Sequence, residues 1–276
     1  MKRVLFLLVI ATAWVGAAGT FHPTLAQPAP AEAESEFEPK VGQEGKDVIW
    51  VPTSQAMVDK MLDMAKVTPQ DNVIDLGSGD GRTVITAAKR GATALGIEYN
   101  PKMVELSQRS AAKEGVGDKA QFRKADLFET DLSQATVITM FLLPEINLQL
   151  RPKILDLKPG TRVVSNSFTM GDWTPDETAE VREGCTSYCK ALLWIVPAKV
   201  EGTWQLPQGE LMLKQSFQML SGTLKTADSS SAITNAKMIG DQIVFTAGDN
   251  QYTGRVNGNV MEGKSGLESW KATRIR

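Results

Sequence analysis

Residues Val73 to Asn100 read VIDLGSGDGRTVITAAKRGATALGIEYN, and this stretch decides the fold. Val73-Ile74-Asp75-Leu76 is an apolar run of the kind a strand buried on both faces requires. It ends in Gly77-Ser78-Gly79-Asp80-Gly81, and residues 82–90 follow with the spacing of an amphipathic helix. A second apolar run, Ala94-Leu95-Gly96-Ile97, ends in an acid, Glu98. Strand, glycine loop, helix, strand and acid is the layout of a nucleoside-cofactor site at the carboxyl edge of a parallel sheet.

Glycine lets the backbone adopt positive φ and lets a ligand approach closely. An acid at the end of the second strand can accept hydrogen bonds from both ribose hydroxyls. A dinucleotide fingerprint places its acid at about the offset of Glu98, but its glycines follow G-x-G-x-x-G. Here they follow G-x-G-x-G, and the loop contains Asp80. Like charges repel, so Asp80 is a poor neighbour for a pyrophosphate. It suits a cofactor carrying an amine and a sulfonium, which points to S-adenosyl-L-methionine rather than NAD. The competing reading is a tight strand-to-helix turn without a ligand. Asp75, Glu98 and a later strand ending in Asp126 weigh against it.

These residues resemble the class I S-adenosylmethionine-dependent methyltransferases. Asp75 to Arg82 resembles their first motif, Ile97-Glu98 their ribose acid, and Ala125-Asp126-Leu127 the motif whose acid faces the adenine amino group. The flanking text, Ile49-Trp50-Val51-Pro52-Thr53, Gly96 to Pro101 and Phe141-Leu142-Leu143-Pro144, is similar to the FAM173-like protein-lysine methyltransferases over about residues 45–198. The resemblance implies a doubly wound, seven-stranded Rossmann-like α/β sheet. It implies that Asp75, Gly77, Ser78, Gly79, Asp80, Gly81, Glu98 and Asp126 bind the cofactor. It adds Thr53 as a cofactor or substrate contact, because the segment before the first helix lies over the cofactor in this family.

Methyl transfer is an in-line displacement with a good leaving group, so the enzyme must position and desolvate an uncharged nucleophile. The sole histidine is His22, near the amino terminus. That excludes a histidine-based mechanism and a histidine-ligated metal in a chain processed beyond it. Phe141-Leu142-Leu143-Pro144 stands where enzymes acting on nucleobases or glutamine carry Asn/Asp-Pro-Pro-aromatic. Phe141, Pro144 and Trp173 are therefore the candidates for a substrate wall, with ordinary packing as the competing role for each. The acceptor expected from the resemblance is a lysine of a protein. The alternatives are a small molecule, such as a quinone or lipid precursor, and a noncatalytic exported binding protein that kept the fold.

The first residues carry a separate signal. Lys2-Arg3 precedes an uncharged apolar run over residues 4–18, and Thr24-Leu25-Ala26 offers a cleavage site. This is the pattern of a signal peptide, or of a membrane anchor if it is retained. Export conflicts with a cofactor made in the cytosol, unless the enzyme works in an organelle or faces the cytosol from an anchor. Residues 27–46, rich in Pro and Glu, read as a linker. Net charge is −2, without the basic footprint that nucleic-acid binding demands. Cys185 and Cys189, the only cysteines, are too few for a structural zinc site. They read as two small residues opening a strand pair, or as a bridge in an oxidising compartment, which spacing alone does not decide.

Strand and helix patterns alternate from residue 47 to residue 198, the expected methyltransferase domain. Residues 199–276 change character. Short alternating runs such as Leu211-Leu213-Gln215-Phe217, Ile243-Val244-Phe245 and Tyr252-Gly254-Val256 are separated by turn signals including Asn257-Gly258. Asn-Gly between alternating runs is a strong hairpin signal. We expect a small antiparallel meander or barrel there, outside the reach of the family resemblance.

Overall fold

The computed structural model describes residues 11–12 and 37–275. The expected signal peptide or anchor at 1–26, His22 and the first part of the linker lie outside the described residues, apart from 11–12. Among the described residues, no helix is long and apolar enough to cross a membrane.

The chain builds a seven-stranded sheet from β1 (Asn72–Leu76), β2 (Thr93–Glu98), β3 (Ala120–Lys124), β4 (Val137–Met140), β5 (Arg162–Asn166), β6 (Glu177–Glu180) and β7 (Lys190–Ile195). Their order across the sheet is β3-β2-β1-β4-β5-β7-β6. The pairs from β3 to β5 are parallel, and β7 runs antiparallel to both β5 and β6. The order reverses between β1 and β4, which opens a crevice at their carboxyl ends.

Alternation along the strands assigns side chains to two cores. Val73, Val137, Val164 and Leu193 face helices α1 (Gln55–Met64), α2 (Arg82–Lys89) and α3 (Pro101–Lys113). Ile74, Leu76, Ile138, Met140, Val163 and Trp194 face α4 (Pro144–Leu155) on the other side. Asp75 and Thr139 are register partners, and period-2 alternation puts them on the α1–α2 face. Both occupy positions where a strand buried on both faces would ordinarily carry an apolar residue.

Helix ends follow the local sequence. Ser54 caps α1, its side chain accepting from the amide of Met57. Asn100 caps α3 and is followed by Pro101, whose missing N–H costs nothing in the first turn. Asp71, next to β1, is buried and receives hydrogen bonds from Thr136 (2.7 Å), the Thr68 amide (2.8 Å) and Arg162. Burial alone would raise its pKa, but these donors outweigh burial and hold the carboxyl below its ordinary range.

The second half is a closed barrel of β8 (Gly202–Leu206), β9 (Gly209–Ser216), β10 (Met219–Thr226), β11 (Ser230–Ile239), β12 (Gln242–Ala247), β13 (Asn250–Asn257), β14 (Val260–Ser265) and β15 (Glu268–Arg274). Every pair is antiparallel, and β15 closes onto β8 through Thr273↔Gln205 and Arg274↔Trp204. Eight strands leave an interior wide enough for side chains. Phe245 and Tyr252 stack there at 4.7 Å, and Trp270 meets both edge-on at 6.0 and 6.1 Å. With Trp204, Leu211, Met238 and Met261 they form a continuous buried core.

The barrel packs against the α4 side of the sheet. Phe217, in the β9–β10 turn, stacks on Trp173 at 5.9 Å and lies beneath the Arg151 guanidinium at 5.2 Å. Gln218 donates to the Thr174 carbonyl, and the Ala198 amide donates to Gly240. Trp173 is fully buried in this contact. That corrects its expected place in a substrate wall: an aromatic with no exposed surface, sandwiched between Trp194 and Phe217, is packing.

Candidate active site

A cleft of about 480 Å³ lies at the crevice between β1 and β4. Its volume is within the usual range for a small-molecule site. All its lining residues fall between Gln43 and Tyr188, so the barrel contributes none. Gln43 to Lys46, inside the segment read as linker, line the cleft together with residues 47–53. The ordered fold therefore begins before the expected boundary at residue 47.

The glycine loop is shaped by contacts as well as by turn geometry. Gly81 caps α2 at φ 81°, and a Cβ there would fall 2.7 Å from both Phe122 and Ser107. At Gly79 (φ 54°) a Cβ would fall 2.6 Å from the Trp50 indole nitrogen, so this glycine lets Trp50 lie over the loop. Ser107 donates to the Gly79 carbonyl at 3.0 Å. The Ser78 hydroxyl is buried without a protein partner among the described residues, leaving a polar group beside the cleft that a ligand or water could satisfy.

Glu98 is placed at the end of β2 with both oxygens engaged. Oε2 accepts from the Gly79 amide at 3.0 Å and Oε1 from the Asn100 amide at 2.8 Å. Each oxygen keeps a free lone pair, so the carboxylate can hold the loop and still accept from a ribose. Asp126, past the end of β3, pairs with Lys46 at 2.5 Å and accepts from the Phe128 amide at 2.9 Å. These bonds, the Lys46 one first, hold its carboxyl below the ordinary range. Lys46 also sits 5.1 Å above the Tyr99 ring, pinning its own segment across the cleft.

Asp75 is the electrostatic anomaly. It is buried, and Thr139 donates to it at 2.6 Å. Burial pushes its carboxyl up to about 7; the Thr139 bond offsets only part of that, and the charges of Asp80 and Glu98 add to the rise. Asp80, the loop acid read as suited to a cationic cofactor, has a partner within the protein. Arg82 grips it through Nε at 3.0 Å and Nη2 at 2.5 Å, while Nη1 donates to the Thr53 carbonyl at 2.8 Å. Arg82 thereby ties the glycine loop to the segment over the cleft. Thr53 is held from its other side by Asn166 Nδ2, 3.4 Å from its hydroxyl.

Thr53, Asp75, Gly77, Ser78, Gly79, Asp80, Glu98, Asp126 and Phe141 all line this one cleft. Gly81 stands behind it as the helix cap. Pro144 starts α4 and is not part of the lining, where Leu142 and Leu143 stand instead. Sequence reasoning missed Lys46, Phe168 and Tyr188, and placed Arg82 in the first motif without a role. No spacing in the chain joins Phe168 and Tyr188 to Phe141; the fold alone brings them together. Cys185 and Cys189, whose pairing the sequence left open, form a disulfide with Cα atoms 5.8 Å apart. The chain reverses between them tightly enough to bring their backbones into bridging range. Among the described residues, no group of three or more His, Cys, Asp or Glu side chains is placed to hold a metal ion.

The fold and the cleft define an S-adenosylmethionine-dependent methyltransferase. The sequence model of the ANTKMT methyltransferase domain matches residues 75–177. A protein-lysine N-methyltransferase from Saccharolobus islandicus is 46% identical over 140 residues, half of this chain and 87% of that protein. An adenine nucleotide translocase lysine N-methyltransferase from Mus musculus is 34% identical over 139 residues, again half of this chain. This chain spans 59% of that mouse protein's length. A crystal structure described as an RNA methyltransferase from Salinibacter ruber, with S-adenosyl-L-homocysteine bound, is 44% identical. It covers 54% of this chain and 96% of its own, with a TM-score of 0.51. The chain belongs to the FAM173-like methyltransferase family, and its cofactor is S-adenosyl-L-methionine.

Proposed function

We propose that the enzyme methylates the ε-amino group of lysine in a protein acceptor. One observation carries this reading: the segment after β4 meets the cleft with Phe141, Leu142 and Leu143, an apolar wall. A wall of that kind strips water from an amine and lowers its pKa, which favours the uncharged nucleophile. Its side chains offer no hydrogen-bond partner for a planar amide. The names of the relatives from Saccharolobus islandicus and Mus musculus support the same acceptor. The barrel lends no support to a lipid or quinone acceptor, because its interior is occupied by its own side chains.

In this reading Glu98 takes the ribose hydroxyls and Asp126 the adenine edge. The glycine loop with Ser78 and Asp75 takes the amino-acid end. Bound S-adenosyl-L-methionine supplies a methyl group on a sulfonium that leaves as a neutral thioether. The protein's own part is to hold donor and acceptor in line, to exclude water at Phe141 to Leu143, and to leave the amine proton a path to solvent. The test is transfer from tritiated S-adenosyl-L-methionine into a cell extract of mixed protein and RNA. Label that protease releases and ribonuclease does not supports the proposal. Label released by ribonuclease, or extracted with lipid, contradicts it.

We also propose that the protein is exported or anchored at a membrane by residues 1–26. The basic pair and apolar run support this, and a disulfide suits an oxidising compartment. Mass spectrometry of cell fractions tests it. A chain starting at Gln27 outside the cytosol, or an intact chain in the membrane fraction, supports the reading. An intact chain in the cytosolic fraction overturns it.

A further inference from the structure

Three aromatic side chains from separate segments meet in the lining of the cleft. Phe141 follows β4, Phe168 follows β5, and Tyr188 lies between the bridged cysteines in the β6–β7 loop. Phe141 stacks on Phe168 with centroids 5.9 Å apart and planes 19° apart. Tyr188 closes the group at 5.1 Å from Phe141 and 5.8 Å from Phe168. All three line the cleft, and Tyr188 remains 45% exposed.

The placement of Phe168 and Tyr188 is imposed rather than relaxed. Ser167, just before Phe168, has φ 62°, and Tyr188 itself has φ 56°. Side-chain-bearing residues adopt this left-handed region at a cost, and the surrounding structure must enforce it. For Phe168 the enforcement is visible: Ser165 Oγ and Asn147 Nδ2 both donate to its carbonyl, at 2.7 and 3.3 Å. The Ser167 amide donates to Lys190, next to Cys189, at 2.7 Å. Tyr188 has less behind it. Residues 182–184 and 186–188 are exposed. What closes the loop is the Cys185–Cys189 bridge and the bond from the Val181 amide to the Cys189 carbonyl at 2.8 Å.

We propose that the Cys185–Cys189 bridge is a positioning element for the acceptor, holding Tyr188 against Phe141 and Phe168 to complete an aromatic channel for the lysine side chain. This rests on the lysine reading above. The ring faces attract the ammonium group on entry and pack along its hydrocarbon stem. Opening the bridge frees an exposed loop and removes one wall of the channel, while Glu98, Asp126 and the glycine loop stay in place. The predicted defect therefore falls on acceptor binding and not on cofactor binding.

The experiment compares the full-length oxidised protein with the same protein reduced by dithiothreitol, which supplies two electrons and two protons and leaves as its cyclic disulfide. The first readout is the nuclear Overhauser contact between the Tyr188 and Phe141 rings, with S-adenosyl-L-homocysteine bound. It is expected in the oxidised protein and lost on reduction. A contact that survives reduction overturns the positioning role, whatever the acceptor is. The second readout is methylation of poly-L-lysine. Reduction, Cys185→Ser/Cys189→Ser and Tyr188→Ala should each raise KM about tenfold, the factor that 1.4 kcal/mol produces. S-adenosyl-L-homocysteine affinity should stay unchanged, and Tyr188→Phe should restore the wild-type KM. If the ring contact is lost but KM does not move, the aromatic channel is not the lysine site and the proposal fails there. If the oxidised wild type binds S-adenosyl-L-homocysteine but never methylates lysine, the lysine reading fails, and the ring contact alone decides the role of the bridge.

Discussion

Replacing Asp75 with Asn should stabilise the cofactor-free protein at alkaline pH, and the gain should shrink as pH falls. Asp75 has a folded pKa of about 7 against 3.8 for the free side chain. Between those values the folded carboxyl keeps a proton that the unfolded one has lost. The stability this group contributes is therefore complete below pH 3.8 and lost as pH rises to 7. At 1.36 kcal/mol per unit, the whole loss is about 4 kcal/mol. Asparagine is neutral throughout and can still accept the Thr139 bond, now 2.6 Å. Its amide nitrogen would lack a partner, at about 1–3 kcal/mol. Urea unfolding of the cofactor-free protein from pH 5 to 8.5 reads the balance. The stability of Asp75→Asn minus that of wild type should grow by about 3 kcal/mol across this range, because two pH units lie below the folded pKa. Parallel curves would refute a proton held on Asp75. The same substitution should weaken S-adenosyl-L-methionine binding, since the buried charge is a liability kept for a cationic ligand.

Further expectations concern other parts of the molecule. Glu98→Ala removes the carboxylate that accepts from the Gly79 and Asn100 amides and would accept from the ribose, so calorimetry should show cofactor affinity falling about ten- to hundredfold, or about 1.5–3 kcal/mol. Gly81→Ala forces a side chain onto φ 81° and to within 2.7 Å of Phe122 and Ser107; thermal unfolding should register a loss of about 2–4 kcal/mol. Phe245→Ala empties the centre of the barrel core and should cost about 3–5 kcal/mol in chemical denaturation. Asp71 has a depressed folded pKa, so its contribution is present above the ordinary carboxylate value and lost as pH falls below it; Asp71→Asn should flatten the acid limb of the stability curve.

What could be read from the chain was what local chemistry dictates. The glycine loop between two apolar runs fixed β1, α2 and β2, and the acids at strand ends marked one edge of one sheet. β3, at Ala120–Lys124, lies just before Asp126, the acid that marked it. β6, at Glu177–Glu180, was illegible because its short run is mostly exposed and carries no apolar pattern. β11 carries no continuous alternation, for a different reason. A register shift between Thr234 and Lys237, with Asn235 at φ 48°, breaks the alternation. Ile233 faces the core, and the next inward residues are Ala236 and Met238, so period-2 counting fails across the bulge. Phe217 continued the alternation of β9 in sequence but turns out of it at φ 54° to meet Trp173. In the cleft, the lining residues that sit in contiguous motifs were legible. Phe141 was legible from its motif, but Phe168 and Tyr188 were not, because they come from separate segments that only the fold brings to it.

The claim that matters most is the chemical identity of the acceptor atom. Incubating the enzyme and an extract of candidate protein acceptors with deuterated-methyl S-adenosyl-L-methionine, followed by tandem mass spectrometry, reads that atom directly. The account predicts a labelled methyl group on the ε-nitrogen of lysine, absent with Glu98→Ala. Label confined to another side chain, to RNA or to a small molecule would contradict it.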